Sequence, residues 1–268
     1  MQTFPTHSLL AGDSPLIISV PHAGTAVPQD LAPLLTPLAL DLPDTDWHVA
    51  RLYDFAPALG ATMIVARYTR YLIDLNRPPD DAALYSASAQ TGLCPVLSFS
   101  GEALYRDGRD QLAAQEINRR REQYWEPYHD ALRARIELTR QKFGYALLLD
   151  AHSIRSVVPR LFTGRLPDIN VGTFDGRSCD SALSESLVRR VAAVPRFTHV
   201  LNGRFKGGYI TRHYGRPARG VHALQIELAQ SSYMDESGTA YDPKRAAELC
   251  ALLRGAVEAL LQCQLHPA

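Results

Sequence analysis

The sequence predicts a single α/β domain in which a largely parallel sheet is flanked by helices. Three observations carry that expectation. Its 268 residues suffice for one large domain with a substantial core. Short apolar runs alternate with segments of helical periodicity through much of the chain, as βα units do. Several of those runs stop abruptly at polar clusters: Pro21-His22-Ala23-Gly24, Asp44-Thr45-Asp46-Trp47, Asp74-Leu75-Asn76-Arg77-Pro78, Asp150-Ala151-His152-Ser153 and Gln225-Ile226-Glu227-Leu228. Parallel strands end along one edge of their sheet, so clusters distant in sequence converge there on one site. No repeat, low-complexity tract or linker divides the chain, which reads as one domain over residues 1–268.

Taken in order, residues 16–20 form a nearly continuous apolar run of the kind that suits a strand buried on both faces, with His22 just beyond it. After a proline-punctuated loop, Asp46 opens a segment with Val49, Leu52, Tyr53 and Ala56 at helical spacing, where an aspartate also reads as an N-cap. Residues 62–66 and 71–75 read as two strands, the second delivering Asn76 and Arg77 at its end. Pro78 and Pro79 stop regular structure, and the stretch 80–108, rich in Pro, Ser and Gly, is a candidate lid.

Between 110 and 142, Ile117, Tyr124, Tyr128, Leu132 and Ile136 recur at spacings of an amphipathic helix that Pro127 should kink or restart. Residues 145–149 repeat the buried-strand signal and end in the cluster around His152. A strand at 170–174, a helix at 180–194 with Leu183, Leu187 and Val191 along one stripe, and a strand at 221–228 follow. A helix at 243–261 closes the chain, with Leu249, Leu253, Val257 and Leu260 facing inward.

Composition narrows the partners. Lys plus Arg and Asp plus Glu both number 28, so no basic field attracts nucleic acid and a small-molecule partner is expected. The four cysteines form no CxxC pair, which excludes a zinc ribbon and suits free thiols in a reducing cytoplasm. The first 11 residues lack a signal-peptide layout, and no apolar run approaches the roughly 20 residues that span a bilayer. A soluble, cytoplasmic protein without membrane contact is expected; oligomeric state is not legible.

The clusters point to metal-dependent hydrolysis. Catalytic zinc takes three protein ligands, drawn from His and Asp or Glu, and keeps a fourth position open. His22 and His152 each follow an apolar run and stand among small residues. Either alone is more often a structural hydrogen-bonding group; the matched pair brings the metal reading level with that one. Asp46 is the choice for third ligand and Asp44 its competitor, while Asp150 could ligate or could orient His152. Glu227 interrupts an apolar strand and needs either an arginine partner or a task, and a general base is such a task. Asn76 and Arg77 offer an amide beside a guanidinium that takes a carboxylate bidentately. After the diglycine at 207–208, Thr211 and Arg212 could clamp an anionic substrate. A G-x-S-x-G elbow, a P-loop and a G-x-G-x-x-G fingerprint are all missing.

These clusters, with Gly207-Gly208-Tyr209-Ile210-Thr211-Arg212-His213-Tyr214-Gly215, resemble the N-formylglutamate amidohydrolase, or deformylase, family over most of the chain. The resemblance implies a mixed, mostly parallel sheet of the zinc-carboxypeptidase type, related to the carboxypeptidase and aspartoacylase group. It implies hydrolysis of N-formyl-L-glutamate to formate and L-glutamate, the last step of one route of histidine degradation. By the same resemblance His22 and His152 hold a divalent metal, with Asp46 chosen as the substitute carboxylate ligand, and the Irving-Williams order favours zinc over iron. The wider group carries a ligating glutamate three residues after its first histidine, where this chain has Thr25. Asn76 and Arg77 match the string that holds a substrate carboxylate, and Glu227 matches the general base. Arg212, or one of Arg155, Arg160 and Arg165, would meet the second carboxylate. A related amidase on another N-acylated acidic amino acid, and a non-catalytic binding protein for an anionic ligand, are the alternative readings.

Overall fold

A computed structural model describes residues 5–84 and 91–265, and its frame is one seven-stranded sheet. The strands are β1 (His7–Leu10), β2 (Leu16–Val20), β3 (Thr62–Ala66), β4 (Ala146–Ile154), β5 (Ile169–Gly172), β6 (His199–Leu201) and β7 (Val221–Ala229). They lie in the order β1-β3-β2-β4-β7-β5-β6. The central four, β3, β2, β4 and β7, run parallel, whereas β1 joins β3 and β5 joins β7 antiparallel. The helices are α1 (Pro37–Leu40), α2 (Val49–Leu52), α3 (Ala114–Arg120), α4 (Glu126–Phe143), α5 (Ser181–Ala192), α6 (Tyr209–Tyr214) and α7 (Pro243–Gln262). None of the described helices is long and apolar enough to cross a membrane.

Side chains alternate across the sheet, and the two faces differ. On one, Leu16, Ile18 and Val20 of β2, Leu147, Leu149 and Ala151 of β4, and Leu224, Ile226 and Leu228 of β7 stay apolar along the full strand lengths. Leu183 and Leu187 of α5 and Leu249 and Leu253 of α7 pack there. Asp180 caps α5 by accepting from Ala182 N, and Asp242 caps α7 by accepting from Lys244 N and Arg245 N, so both helices start where a side chain satisfies their free amides.

The opposite face begins apolar, with Ile17, Leu148 and Ala223 against Tyr128, Leu132 and Ile136 of α4. It then turns polar toward the strand ends, through Ser19, Asp150, His152, Gln225 and Glu227. In the β4–β7 register Asp150 lies opposite Gln225 and His152 opposite Glu227. This switch from apolar to polar along one face marks where the core stops and the site begins.

Several expectations change. The segment 71–75 is a buried loop, because β1 already occupies the free edge of β3. Its carbonyls are satisfied by side chains instead: Arg120 Nη1 donates to Leu72 O and His129 Nε2 to Leu75 O, both at 2.9 Å. β4 runs five residues past its expected end at Leu149, to Ile154, so Asp150 and His152 lie inside the strand. The helix expected after Asp46 is the single turn α2 followed by a 3-10 turn, Ala56–Leu59. His48, in a left-handed conformation with φ 62°, precedes α2 in place of an Asp46 side-chain cap. The long helix divides into α3, a π-helical turn at Arg121–Trp125, and α4. Pro127 sits in the first turn of α4, where a missing amide costs least. Within the candidate lid, 91–108 is pinned by backbone bonds such as Leu104 N to Val96 O (2.9 Å), and residues 85–90 lie outside the described residues.

His129 ties α4 to the buried loop. Besides donating to Leu75, it accepts from the Tyr214 hydroxyl at Nδ1 (2.9 Å) and stacks on Trp125 with centroids 3.7 Å apart. Burial pushes this imidazole down to about 3, against the opposing pull of its bond to Leu75. The unfolded chain therefore binds the extra proton first as pH falls. His129 contributes stability in full above its unfolded value near 6.5 and loses it toward about 3, at up to about 1.4 kcal/mol per pH unit. Urea midpoints measured between pH 6.5 and 4.5 should fall less steeply for His129→Gln than for the unaltered protein; parallel curves would remove His129 as the cause.

Candidate active site

The polar end of the sheet face opens into a cleft of about 620 Å³, counting its mouth. His22, in the turn after β2, Asp46, in the loop before α2, and His152, within β4, meet there with ligand atoms within 4.8 Å of one another. A backbone bond from Asp46 N to His22 O (3.1 Å) holds the two loops together. All three residues are buried.

Each histidine is backed by a carboxylate. His22 Nε2 donates to Asp74 Oδ1 at 2.7 Å, and Asp74 also accepts from Arg70 Nη2 (2.6 Å) and Asn76 N (2.9 Å). Although burial opposes it, the Arg70 charge, helped by the hydrogen bond from His22, holds the Asp74 carboxyl well below the usual range, so it accepts and His22 must donate. Burial, then Arg70, lowers the His22 imidazole, which leaves its Nδ1 lone pair facing Asp46 Oδ2 at 3.8 Å.

His152 stands between Asp46 Oδ2 on Nδ1 and Asp150 Oδ2 on Nε2, both at 3.0 Å. Burial works against charging it, but Asp150 and then Asp46 raise it well above the ordinary histidine value. Its Nδ1 proton is the one a cation would displace. Two Nδ1 atoms and one carboxylate then converge, with Asp74 and Asp150 fixing the rings from behind. That nitrogen and oxygen donor set fits a divalent transition metal, and the backing carboxylates are the usual companions of metal-binding histidines.

Asp46 is thereby a member of the cluster, and its Oδ2 also accepts from Ser153 N (3.2 Å). Asp44 instead takes Phe99 N at 2.7 Å, outside the cluster. Glu227 faces the cleft beside His152, and Gln225 Nε2 donates to its Oε2 at 3.1 Å. Burial first, with Asp46 and Asp150 adding to it, pushes the Glu227 carboxyl up to about 8, while His152 and Arg70 pull the other way.

Both anchor residues read from the sequence line the cleft. Asn76 is engaged on both sides of its amide: Nδ2 donates to Asp150 Oδ2 (3.0 Å), and Oδ1 accepts from Ile210 N (2.7 Å). Arg77 donates from Nε to Thr91 O (2.7 Å) and from Nη2 to Thr91 Oγ1 (3.2 Å), which fixes its plane at the cleft wall.

The second clamp differs from expectation. Thr211 is fully buried behind the site, with Oγ1 3.4 Å from Asp150 Oδ2. Arg212 braces the loops through Gly207 O and Leu84 O, both at 2.7 Å. Neither lines the cleft, because α6 turns them inward and away. Arg155 lines a neighbouring pocket, Arg160 reaches Ser98 O, and Arg165 reaches Ser231 Oγ. The cleft's other cations are Arg70 and Arg204. Sequence reasoning passed over both. Arg70 directly precedes the loop misread as a strand, and no motif marks Arg204.

Fold and site together define an α/β protein with a buried two-histidine, one-aspartate cluster at the ends of parallel strands, of the kind hydrolytic metal centres use. The chain belongs to the N-formylglutamate amidohydrolase family, whose model matches residues 14–234. It is 54% identical over 226 residues to the N-formylglutamate deformylase of Pseudomonas putida, covering 84% of each chain. It is 51% identical over 255 residues to that of Pseudomonas aeruginosa, covering 95% of each. The crystal structure of N-formylglutamate amidohydrolase from Ralstonia eutropha JMP134 superposes with a TM-score of 0.80 at 27% identity over 96% of both chains. A protein of Agrobacterium tumefaciens shares the fold, with a TM-score of 0.70 at 23% identity over 96% of this chain and 97% of its own.

Gly208 makes this packing possible. A Cβ there would fall 2.4 Å from Asn76 Nδ2, and its own amide donates to Gln225 Oε1 at 2.7 Å. Gly208→Ala should destabilise the protein by about 1–3 kcal/mol, the range for overpacking a filled site. Gly238→Ala, whose Cβ meets nothing within 4 Å, should be nearly neutral. Equal denaturation midpoints for the two variants would contradict the close approach.

Proposed function

We propose that this protein is a metal-dependent amidohydrolase that converts N-formyl-L-glutamate and water into formate and L-glutamate. The observation that carries the reading is the convergence of His22, Asp46 and His152 with Glu227 in one cleft flanked by Arg77 and Arg204. The names of the two Pseudomonas relatives support the substrate. A relation to the zinc carboxypeptidase and aspartoacylase group belongs to the same proposal, supported by the mixed sheet and the Asp-Leu-Asn-Arg string at 74–77.

His22 Nδ1, His152 Nδ1 and Asp46 would hold a divalent cation, zinc by preference. Bound there, it would supply polarisation of the formyl oxygen and a pKa of water lowered toward about 7. The protein's own residues do the rest. Glu227, in the cleft beside His152, takes a proton from the attacking water and returns it to the departing amine. Asp74 and Asp150 keep the two imidazoles aimed at Asp46. Arg77, with its plane held by Thr91, takes one substrate carboxylate bidentately, and Arg204 takes the other. The reaction runs in the cytoplasm, as the last step of one route of histidine degradation.

Purified protein should release formate from N-formyl-L-glutamate, lose that activity on thorough chelation and regain it with zinc, with N-acetyl-L-aspartate a poor substrate. Activity that survives chelation would end the metal mechanism. Glu227→Gln should lower turnover by roughly 100- to 10,000-fold while calorimetric binding of substrate changes little. Asp74→Asn, which replaces the charged acceptor behind His22 with a neutral amide, should weaken metal retention against a competing chelator by about 10- to 100-fold. Unchanged retention would mean that Asp74 does not orient a ligand.

A further inference from the structure

A second pocket, of about 510 Å³ and open to solvent, adjoins the cleft. Phe99, Ser153 and Ile154 line both, and so form the partition between them. Beyond them the second pocket is largely apolar, through Pro43, Val157, Val158 and Pro159; its charged members among the described residues are Asp44 and Arg155.

The partition stands against the candidate metal cluster. Ser153 directly follows His152 and donates its amide to Asp46. Phe99 is fixed from two sides: its amide donates to Asp44 Oδ2 at 2.7 Å, and its ring packs under the Arg70 guanidinium, 4.6 Å from the centroid. Arg70 in turn lies 3.9 Å from Asp46 Oδ1. An acyl carbon attacked at the cluster must therefore lie close to this wall.

We infer that Phe99 sets the acyl-group limit of this enzyme: its ring closes the cleft to anything much larger than formyl, and the apolar pocket behind it is a latent site for a longer acyl chain. The inference rests on the deformylase reading above. A formyl group carries only hydrogen beyond its carbonyl, whereas each further carbon needs space on that side. With the wall removed, a straight-chain acyl group extends past Ile154 toward Val158, the apolar residues that pack with Phe99. The bond change is the same: water's oxygen bonds to the acyl carbon, the C–N bond breaks, and a proton passes to the leaving nitrogen.

The test compares zinc-loaded unaltered protein, Phe99→Ala and Phe99→Ala/Val158→Phe on N-formyl-, N-acetyl- and N-hexanoyl-L-glutamate. Phe99→Ala should raise the kcat/KM ratio of hexanoyl to formyl substrate at least tenfold, and Val158→Phe, filling the pocket from the far side, should reverse that gain. Should Phe99→Ala not fold, Phe99→Leu answers with a smaller rise of the same sign. A ratio unchanged in a folded variant, or a gain that Val158→Phe leaves intact, overturns the inference. Calorimetric binding of N-hexanoyl-L-glutamate to Glu227→Gln and Glu227→Gln/Phe99→Ala proteins puts the same question without turnover. There, tighter binding in the double variant supports Phe99 as the wall and equal binding overturns it. Failure of the unaltered protein to release formate with any divalent metal would count separately, against the deformylase reading.

Discussion

The buried chain His22–Asp74–Arg70 is the interaction on which the rest of the site depends. Asp74 has no exposure to solvent and cannot stay ionised there without compensation, which Arg70 supplies at 2.6 Å and His22 at 2.7 Å. Removing one partner would strand a buried charge, so the three must be assembled together. In doing so they set the tautomer of His22, fix the loop 71–77 through Asn76 N, and bring a guanidinium over Phe99. Ligand orientation, loop path and cleft wall follow from one carboxylate.

Around that centre the sheet divides labour by face. Uninterrupted apolar strands on one side bind α5 and α7 and carry the cohesion of the core, while the other side exchanges apolar for polar residues within two positions on three adjacent strands. The polar residues come at the cost of desolvation, and their neighbours offset it: Asp150 accepts from Asn76 and His152, and Gln225 bridges Gly208 N and Glu227. Buried polar groups left without partners among the described residues are few, the Tyr53 and Tyr71 hydroxyls and Asn170 Oδ1.

The central strands were legible because burial on both faces leaves nearly continuous apolar runs, as at 16–20, 62–66 and 145–149. Helices α5 and α7 were legible from their caps and stripes. The edge strands β1 and β6 were not, since each is only three or four residues long and mostly exposed, so neither alternation nor burial marks it. Residues 71–75 carry the apolar pattern of a strand but form a loop, because the groups that satisfy their backbone, Arg120 and His129, lie some 50 positions away. In the site, His22, Asp46 and His152 could be grouped from strand ends. That Asp74 backs His22, or that Thr211 and Arg212 turn away from the cleft, depends on loop paths that local sequence does not encode. Arg204 carries no local signature at all.

The π-helical turn at Arg121–Trp125 acquires its meaning from phase. Arg120 and His129 are nine positions apart, which on an uninterrupted α-helix is about two and a half turns and puts them on opposite sides. One residue of widening reduces that offset to about 80°, close enough for both to reach carbonyls of the same buried loop. The helix thus works as a vernier: its residue count, rather than any side chain within the widened turn, sets where the two struts land. Exposed positions in the interval from 120 to 129, such as Glu122 and Gln123, should accordingly tolerate changes of residue type far better than the interval tolerates changes of length, although it lies outside the cleft it aligns.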